Sequence, residues 1–129
     1  MAYKLLVVDD DRDIAQITAK NLSREGYQVT IAYDGEEALE KVKTENPDII
    51  ILDLTLPKLN GFEVLKEIRE KFQDRWRPVI IVSGNTELEA VKKCYSLEAD
   101  HYLTKPCAVE HLLRGVQTMI SLIPTRKQA

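Results

Sequence analysis

Short apolar runs recur along the chain, and the segments between them carry apolar residues at every third or fourth position. The runs at residues 4–8, 48–52 and 78–82, with a shorter one at 101–104, have the length and continuity of buried strands. Residues 27–33 instead alternate between larger apolar side chains and small or polar ones, which indicates a half-exposed edge strand. The pattern therefore predicts five strands.

Five amphipathic helices are predicted between and after these strands, because apolar residues repeat at helical spacing in each segment. Asp34 with Glu37 predicts a capped start for the second helix, and Thr86 with Glu89 predicts one for the fourth. The fifth helix is predicted to begin at Pro106. Strict alternation of strand and helix implies a doubly wound α/β domain with a parallel sheet covered on both faces.

One domain is predicted for residues 1–123, since the chain has 129 residues and shows no repeat, linker or low-complexity stretch. Residues 124–129 have no apolar face to bury, so we expect a frayed C-terminal tail. In a parallel doubly wound sheet the ligand site lies beyond the carboxyl ends of the strands. The residues that follow each strand are therefore the candidates for chemistry.

Acidic residues crowd the end of the first strand, at Asp9, Asp10, Asp11 and Asp13. A carboxylate at this position commonly caps the following helix and complements its dipole. One residue suffices for such a cap, so the other acids need a different explanation. Asp53 ends the third strand, and we expect its carboxylate to lie near those of the first strand.

Carboxylates that share a pocket repel one another, so either one takes up a proton or a hard cation neutralises the set. Oxygen ligands suit Mg²⁺, which keeps coordination positions open for a substrate phosphate. Lys105, after the fifth strand, is either a solvated surface group or a partner for Asp53 and for phosphate oxygens. Ser83, after the fourth strand, either satisfies a turn or donates a hydrogen bond to a phosphoryl oxygen.

The amino-acid composition limits the partners and the cellular compartment that are compatible with the sequence. Lys and Arg number 18 against 21 Asp and Glu, a net charge of −3, and this lacks the basic excess that direct nucleic-acid binding uses. Cys94 and Cys107 show no metal-ligand spacing and are too few for a disulfide framework, which favours a reducing cytoplasm. Apolar runs of four residues are too short for membrane insertion, and the first residues lack a signal-peptide layout.

Four motifs in order resemble the receiver domain of response regulators in two-component signal transduction, in particular single-domain, chemotaxis-regulator-like receivers. The resemblance covers about residues 4–120. Its motifs are LLVVDD at 5–10, IILDLTLP at 50–57 followed by Asn60-Gly61, VIIVSG at 79–84 and ADHYLTKP at 99–106. It implies a flavodoxin-like (βα)5 three-layer sandwich with strand order 2-1-3-4-5.

The resemblance also implies roles. Asp53 would accept a phosphoryl group from the phosphohistidine of a sensor histidine kinase or a histidine phosphotransferase. Mg²⁺ would be bound by Asp10 directly, by Asp9 mainly through water, by Asp53, and by the backbone carbonyl of Thr55. Lys105 would help to neutralise the transferring phosphoryl group. Such a domain is not an enzyme for other substrates, because it catalyses only its own phosphorylation and dephosphorylation.

The same resemblance implies a switch. Ser83 would turn toward the phosphoryl oxygens and Tyr102 would move inward with it, unless this aromatic only packs. The face formed by the fourth helix, fifth strand and fifth helix would bind the downstream protein. The Lys105–Pro106 peptide is expected to be cis. Glu98 departs from the family pattern, because it stands where a glycine is common at a left-handed position.

Several alternatives stay open at this stage. A haloacid-dehalogenase-type Mg²⁺-dependent phosphatase would need an aspartate at position 55, where this chain has Thr55. A flavodoxin would need a phosphate loop where Asp9 to Asp13 would repel phosphate. The sequence is also compatible with a receiver excised from a larger transcription factor or hybrid sensor kinase. The intact set of Asp9, Asp10, Asp53, Ser83 and Lys105 argues against an interaction module that is never phosphorylated. Trp76 is either a partner anchor or a cover for the lower rim of the sheet.

Overall fold

Strands and helices alternate along residues 2–128, the part of the chain that this computed structural model describes. The strands are Lys4–Val8 (β1), Gln28–Ala32 (β2), Ile49–Leu52 (β3), Val79–Ser83 (β4) and His101–Thr104 (β5). The helices are Arg12–Ser23 (α1), Gly35–Glu45 (α2), Gly61–Lys66 (α3), Leu88–Ser96 (α4), Val109–Ile120 (α5) and Ile123–Gln128 (α6). A π-helical turn, Glu67–Lys71, continues α3.

All strands are parallel and lie in the order β2-β1-β3-β4-β5, as the flavodoxin-like prediction requires. Val8, the last residue of β1, is paired with Ala32 on one side and with Leu52 on the other. The chain order reverses at β1, so the loops that follow β1 and β3 leave toward opposite faces and open a crevice between them. The crevice lies where the sequence places its acidic residues.

The core has two layers, one on each face of the sheet. Leu6, Val8, Ile50 and Leu52 face α2, α3 and α4, whereas the intervening residues of β1 and β3 face α1 and α5. Alternate side chains of a strand point to opposite faces, so a central strand that is apolar at every position fills both layers. The edge strand β2 is only partly buried, as its alternating pattern predicts.

Helix starts follow the predicted caps only in part. The Asp34 side chain accepts the Glu37 N–H at 2.8 Å and caps α2 as predicted. The predicted cap at Thr86 is wrong, because α4 begins at Leu88 and the Asn85 side chain instead accepts the Glu87 N–H at 2.9 Å. The start of α5 at Pro106 is also wrong: Ala108 is still extended, so the helix begins at Val109.

A frayed tail is not what the structure shows for residues 124–128, which form α6 together with Ile123. Ile123 is buried against the α1 and α5 layer, and Pro124 occupies the first helical turn, where its missing N–H costs no hydrogen bond. Arg126 binds Asp100, and Lys127 Nζ lies 4.2 Å from the centre of the Trp76 ring. Residue 129 of the predicted tail lies outside the described residues.

Two buried arginines tie the amino-terminal edge of the sheet together. Arg69 lies in the π-helical turn and donates to the Glu98 carbonyl at 3.2 Å, to the Asp74 carbonyl at 2.8 Å and to the Asp100 carboxylate at 3.1 Å. Arg77 contacts the carboxylate of Asp74 in the same region. The contacts of Arg69 with Glu98 and Asp100 link residues 29 and 31 positions apart, so sequence periodicity does not show them.

Trp76 and Glu98 lie at this same edge. The Trp76 ring is partly buried against the core, with the guanidinium of Arg77 4.7 Å from its centre, so it covers the lower rim of the sheet rather than standing free as an anchor. Glu98 has φ +67°, the left-handed conformation expected where the family has glycine. No helix among residues 2–128 has the length and apolar content needed to cross a bilayer.

Candidate functional site

Three carboxylates meet at the carboxyl ends of β1 and β3. One oxygen from each of Asp9, Asp10 and Asp53 lies within 4.8 Å of the others. The sheet ladder continues one residue past each strand, because Asp53 N–H donates to the Val8 carbonyl at 3.0 Å and Asp9 N–H donates to the Ala32 carbonyl at 3.1 Å. Asp9 and Asp53 are buried and Asp10 is exposed, so the pocket has an acidic floor and an acidic, open rim.

Lys105 closes the pocket from the end of β5. Its Nζ lies 2.9 Å from a carboxylate oxygen of Asp9 and 2.9 Å from one of Asp53. The peptide bond from Lys105 to Pro106 is cis, as expected. Burial acts to lower the pKa of Lys105, but its hydrogen bonds to Asp53 and Asp9 outweigh this effect, so its pKa is raised and the ammonium form is held at neutral pH.

Opposing effects act on the pKa of the Asp53 carboxyl group. Burial raises its pKa, while the hydrogen bond from Lys105 and the one from the Thr55 N–H, at 3.2 Å, act to lower it, and the raising effect prevails. One ammonium thus faces three carboxyl groups. The unbalanced negative charge and the oxygen-only donor set fit a hard divalent cation such as Mg²⁺.

Two glycines let the loop after β3 lie close to the acidic pocket. A Cβ on Gly61 would stand 2.4 Å from the carbonyl oxygen of Asp53, and one on Gly35 would stand 2.1 Å from the carbonyl oxygen of Leu59. Asn60 then starts α3 with a capping box shared with Glu63. Gly61 belongs to one of the sequence motifs but has no role predicted from it, and Gly35 belongs to none, because only the folded loop shows how closely the backbones approach.

Ser83 and Tyr102 are connected through Asn85, in the loop after β4. The buried Ser83 Oγ accepts the Asn85 N–H at 3.1 Å, and the Tyr102 hydroxyl donates to the Asn85 carbonyl. Lys105 N–H donates to the Ser83 carbonyl at 2.9 Å. Burial raises the pKa of Tyr102, so the hydroxyl stays a donor at neutral pH. Among the described residues, no hydrogen bond joins Ser83 to Asp53.

A groove of about 490 Å³ leads away from the acidic pocket between α1 and α5. Its walls are mostly apolar, and Ile14, Ile17 and Val109 are partly exposed along it. Ile14 and Ile17 belong to the helically spaced apolar residues of α1, which an amphipathic helix ordinarily buries, but both are accessible to solvent. The pocket is therefore reached past an apolar surface.

A carboxylate pocket with a bridging lysine lies at the switch point of a 2-1-3-4-5 parallel sheet, and this architecture is that of the flavodoxin-like α/β domains. A family model described as the response regulator receiver domain matches residues 5–117 of this chain. The chain belongs to this family, the receivers of two-component systems. The family match does not support the haloacid-dehalogenase and flavodoxin alternatives.

Solved structures agree with this assignment. The chemotaxis protein CheY4 of Vibrio cholerae is 34% identical over 92% of this chain and 99% of that one, with a TM-score of 0.86. The receiver domain of Francisella response regulator 1452 is 36% identical over 91% and 95%, with a TM-score of 0.84. A CheY-like receiver domain protein of Methanospirillum hungatei is 29% identical over the full length of both chains, with a TM-score of 0.89.

Proposed function

We propose that Asp53 accepts a phosphoryl group from the phosphohistidine of a sensor histidine kinase or a histidine phosphotransferase, and that this changes the chain's contacts with a downstream protein in the cytoplasm. The observation that carries the proposal is the position of Lys105 Nζ, 2.9 Å from both Asp9 and Asp53, within a pocket of three carboxyl groups. This arrangement provides a nucleophile together with a fixed positive charge.

In the proposed reaction an Asp53 oxygen forms a bond to phosphorus as the phosphorus–nitrogen bond of the donor breaks, and the electron pair of that bond returns to the donor imidazole. Lys105, held beside Asp53 by hydrogen bonds, stands where its ammonium would contact the phosphoryl oxygens. Asp9, Asp10, Asp53 and the carbonyl of Thr55 would hold Mg²⁺, whose charge would offset that of the transferring group.

Transmission of the signal would pass through the loop after β4. If the Ser83 hydroxyl turns toward the phosphoryl group, it no longer accepts the hydrogen bond from the Asn85 N–H. Asn85 would then be free to shift, and because its carbonyl accepts the hydrogen bond from the Tyr102 hydroxyl, Tyr102 would be affected as well. A local charge change would thus shift an aromatic side chain between two positions. The face formed by α4, β5 and α5 would read the change, and α4 exposes Leu88 and Tyr95 there, seven positions apart.

The apolar groove between α1 and α5 supports approach by the donor. Ile14 and Ile17 line the groove next to the acidic pocket, and a protein that carries a phosphohistidine would need such an apolar surface to bring its imidazole near Asp53. The net charge of −3 gives no basis for nucleic acid as the direct partner. The proposed partners are therefore proteins on both the input and the output side, without membrane insertion.

Intact mass spectrometry tests the proposal. With acetyl phosphate and Mg²⁺, the wild-type chain should gain the mass of one phosphoryl group, while Asp53→Asn should gain none because it lacks the nucleophilic oxygen. Asp13→Asn, which changes an exposed acid of α1, is the matched control and should behave as the wild type. Equal phosphorylation of Asp53→Asn, or no phosphorylation of the wild type, would show the proposal to be wrong.

A chelator provides the second arm of this test. Removal of Mg²⁺ with EDTA should reduce phosphorylation of the wild type strongly, because three carboxyl groups with one ammonium leave the pocket negative toward an approaching phosphate. Phosphorylation at an unchanged rate without the metal would remove the metal from the mechanism while leaving the assignment of Asp53 in place.

A further inference from the structure

A separate pocket lies at the amino-terminal edge of the sheet, between the end of α2, the loop before β4 and α6. Its volume is about 650 Å³, and the residues that line it are Asn46, Gln73, Arg75, Trp76, Arg126 and Lys127. None of them belongs to the acidic pocket, to the loop after β4 or to the face formed by α4, β5 and α5. The proposed phosphoryl transfer therefore gives this pocket no role.

The polar groups that line the pocket are mainly hydrogen-bond donors. Arginine and lysine side chains can only donate, and the Trp76 indole has a single N–H donor. The Oδ1 atom of Asn46 accepts a hydrogen bond from Arg77 at 2.7 Å, which leaves the amide N–H groups of Asn46 for other partners. Among the described residues, no aspartate or glutamate lines the pocket. Such a lining suits a ligand that is rich in negatively charged oxygen atoms.

The acidic residues nearest to the pocket do not neutralise its cations. Asp100 has one negative charge, and both Arg69 and Arg126 pair with it. Arg75 pairs with Glu98, but these side chains are 57% and 49% exposed, and an exposed ion pair contributes little to stability. Arg75 can therefore exchange Glu98 for a bound anion at small cost.

The other acids of this edge are engaged away from the pocket. Asp74 binds Arg77, and Asp48 accepts the backbone N–H of Lys4 at 2.8 Å. Neither carboxylate lines the pocket. The local charge is therefore opposite in sign to the net charge of −3 that the chain carries.

Trp76 adds an aromatic surface to the donors. On this ring the guanidinium of Arg77 lies 4.7 Å from the centre, and Arg77 is buried and held by Asp74 and Asn46. Lys127 Nζ lies 4.2 Å from the same centre, but the Lys127 side chain is exposed. An anion in the pocket would draw the Lys127 ammonium away from the ring and uncover it for a planar group.

We propose that this pocket binds a nucleoside diphosphate, with the base stacked on Trp76 and the phosphates bound by Arg75 and Lys127. Two phosphate groups match two exposed cations that reach the pocket from different segments, while Arg126 adds to the positive charge. The volume is that of a site for a small organic ligand, and a lone phosphate would leave most of it empty. The inference does not depend on phosphorylation of Asp53, so it is tested on the unphosphorylated chain.

Trp76 is the only tryptophan of the chain, so tryptophan fluorescence reports on this pocket. Adenosine diphosphate should change the emission in a saturable way, with EDTA present so that no metal carries the nucleotide into the acidic pocket. Isothermal titration calorimetry gives the affinity. Pyrophosphate and adenosine are the probe controls, and each should bind at least about tenfold more weakly, because one lacks the base and the other lacks the charge.

Two results of these titrations would overturn the inference. One is the lack of a saturable change with adenosine diphosphate at millimolar concentration. The other is an affinity for pyrophosphate or for adenosine equal to that for adenosine diphosphate, because the pocket would then recognise only an anion or only a ring.

Variants of the protein locate the charges of the site. Lys127→Gln and Arg75→Gln should each weaken binding about tenfold; both side chains are exposed, and circular dichroism verifies the fold. Lys20→Gln removes the same charge from an exposed position of α1 and is the matched control. If Lys20→Gln weakens binding as much as Lys127→Gln, the effect is one of net charge and the inference is wrong.

A further variant tests the stacked base. Trp76→Leu keeps an apolar cover on the rim of the sheet but removes the aromatic ring, so in calorimetry its affinity for adenosine diphosphate should fall to that for pyrophosphate. An unchanged preference for adenosine diphosphate would show that the base does not lie on Trp76, and the inference would fail.

NMR and competition complete the test. Adenosine diphosphate should shift the backbone amide signals of Asn46 and Gln73 and the indole N–H signal of Trp76, whereas shifts confined to the acidic pocket would contradict the proposed place. A single-stranded oligonucleotide is the competitor. If it displaces adenosine diphosphate at a lower concentration of nucleotide units than the free nucleotide needs, the pocket is a nucleic-acid site and the inference is wrong.

Discussion

The Asp53 carboxyl group combines two requirements that oppose each other. A buried carboxylate is protected from water, yet burial favours its neutral form and a nucleophile must be ionised. Lys105 and the Thr55 N–H restore part of the lost stabilisation of the anion through hydrogen bonds, but the pKa of Asp53 remains raised. Ionisation of Asp53 therefore has a free-energy cost at neutral pH, which a cation bound by the carboxylates would relieve.

This cost predicts a pH-dependent effect of Asp53→Asn. The folded state holds a proton on Asp53 more readily than the unfolded chain, whose ordinary Asp pKa is 3.8, so the Asp53 contribution to stability is lost as the pH rises from 3.8 through the raised pKa. Asp53→Asn should match the wild type at about pH 3.5 and be more stable at about pH 7. Urea unfolding without divalent metal, at constant ionic strength, measures the free energy of unfolding of the two proteins at each pH.

Asp13→Asn is again the control, because its side chain is exposed on α1 and should not gain stability over this pH range. A loss of stability for Asp53→Asn at neutral pH would mean that its ion pair with Lys105 outweighs the cost of burial. Added Mg²⁺ should raise the stability of the wild type more than that of Asp53→Asn, since ligand binding to the folded state alone adds to the free energy of unfolding.

At the residue scale the sequence predicted the acidic pocket well. Asp9, Asp53 and Lys105 are each the first residue after a strand, and a parallel sheet brings such positions together whatever the conformation of the loops. The role of Gly35 was not predictable in this way. Its close approach to Leu59 joins two loops whose distance depends on the packing of α2 and α3.

At the scale of elements, the π-helical turn after α3 carries Arg69 into the interior. The widened turn, Glu67–Lys71, ends near Asp74, and the Arg69 side chain is 2% exposed. Burial lowers the pKa of Arg69, and the nearby carboxylate of Asp100 offsets this effect only in part. A charge removed from water to this extent is tolerated only with a paired anion and satisfied donors, and Asp100 and two backbone carbonyls supply these.

Removal of the Asp100 carboxylate, the anion that pairs with Arg69, should lower the stability of the fold. Asp100→Asn keeps the shape of the side chain but leaves Arg69 without its counter-charge, so we expect the free energy of unfolding to fall by about 3 kcal/mol. Urea unfolding at neutral pH measures the loss. The double variant Arg69→Met with Asp100→Asn should lose less than Asp100→Asn alone, because the unpaired buried charge is gone; an Asp100→Asn variant within about 0.5 kcal/mol of the wild type would contradict this account.

Helix boundaries show where sequence patterns stop being informative. The starts of α4 and α5 lie two or three residues from their predicted positions, at Leu88 and Val109. Cap residues act through one local hydrogen bond, so a loop that is held by other contacts overrides them. Asn85 is such a case, since its backbone contacts Ser83 and Tyr102 while its side chain accepts the Glu87 N–H.

At the scale of the whole molecule, charge is divided between the edges of the sheet. The acidic pocket lies at the carboxyl edge, and the amino-terminal edge holds the arginine pairs and α6. We propose that the receiver unit extends through α6 rather than ending at residue 123, because Ile123 packs in the core and Arg126 shares Asp100 with Arg69.

Deletion of residues 123–129 tests this extension. Loss of the buried Ile123 and of the Arg126 contact should lower the free energy of unfolding by about 2–3 kcal/mol in urea unfolding. Phosphorylation of Asp53 should be retained, since Ile123 and Arg126 contact the opposite edge of the sheet from the acidic pocket. Deletion of residues 128 and 129 alone is the control, and equal stability of the long deletion and the wild type would show that α6 is not part of the folded unit.

Local sequence patterns determine much of the structure of this protein. Alternation of apolar runs with helical spacing gives the parallel layered fold, and the strand ends place Asp9, Asp53 and Lys105 in one crevice, because both follow from the period and the direction of the elements. The pairing of Arg69 with Asp100 and the docking of α6 required the folded structure. They depend on long side chains from distant parts of the chain meeting in space, which no local pattern records.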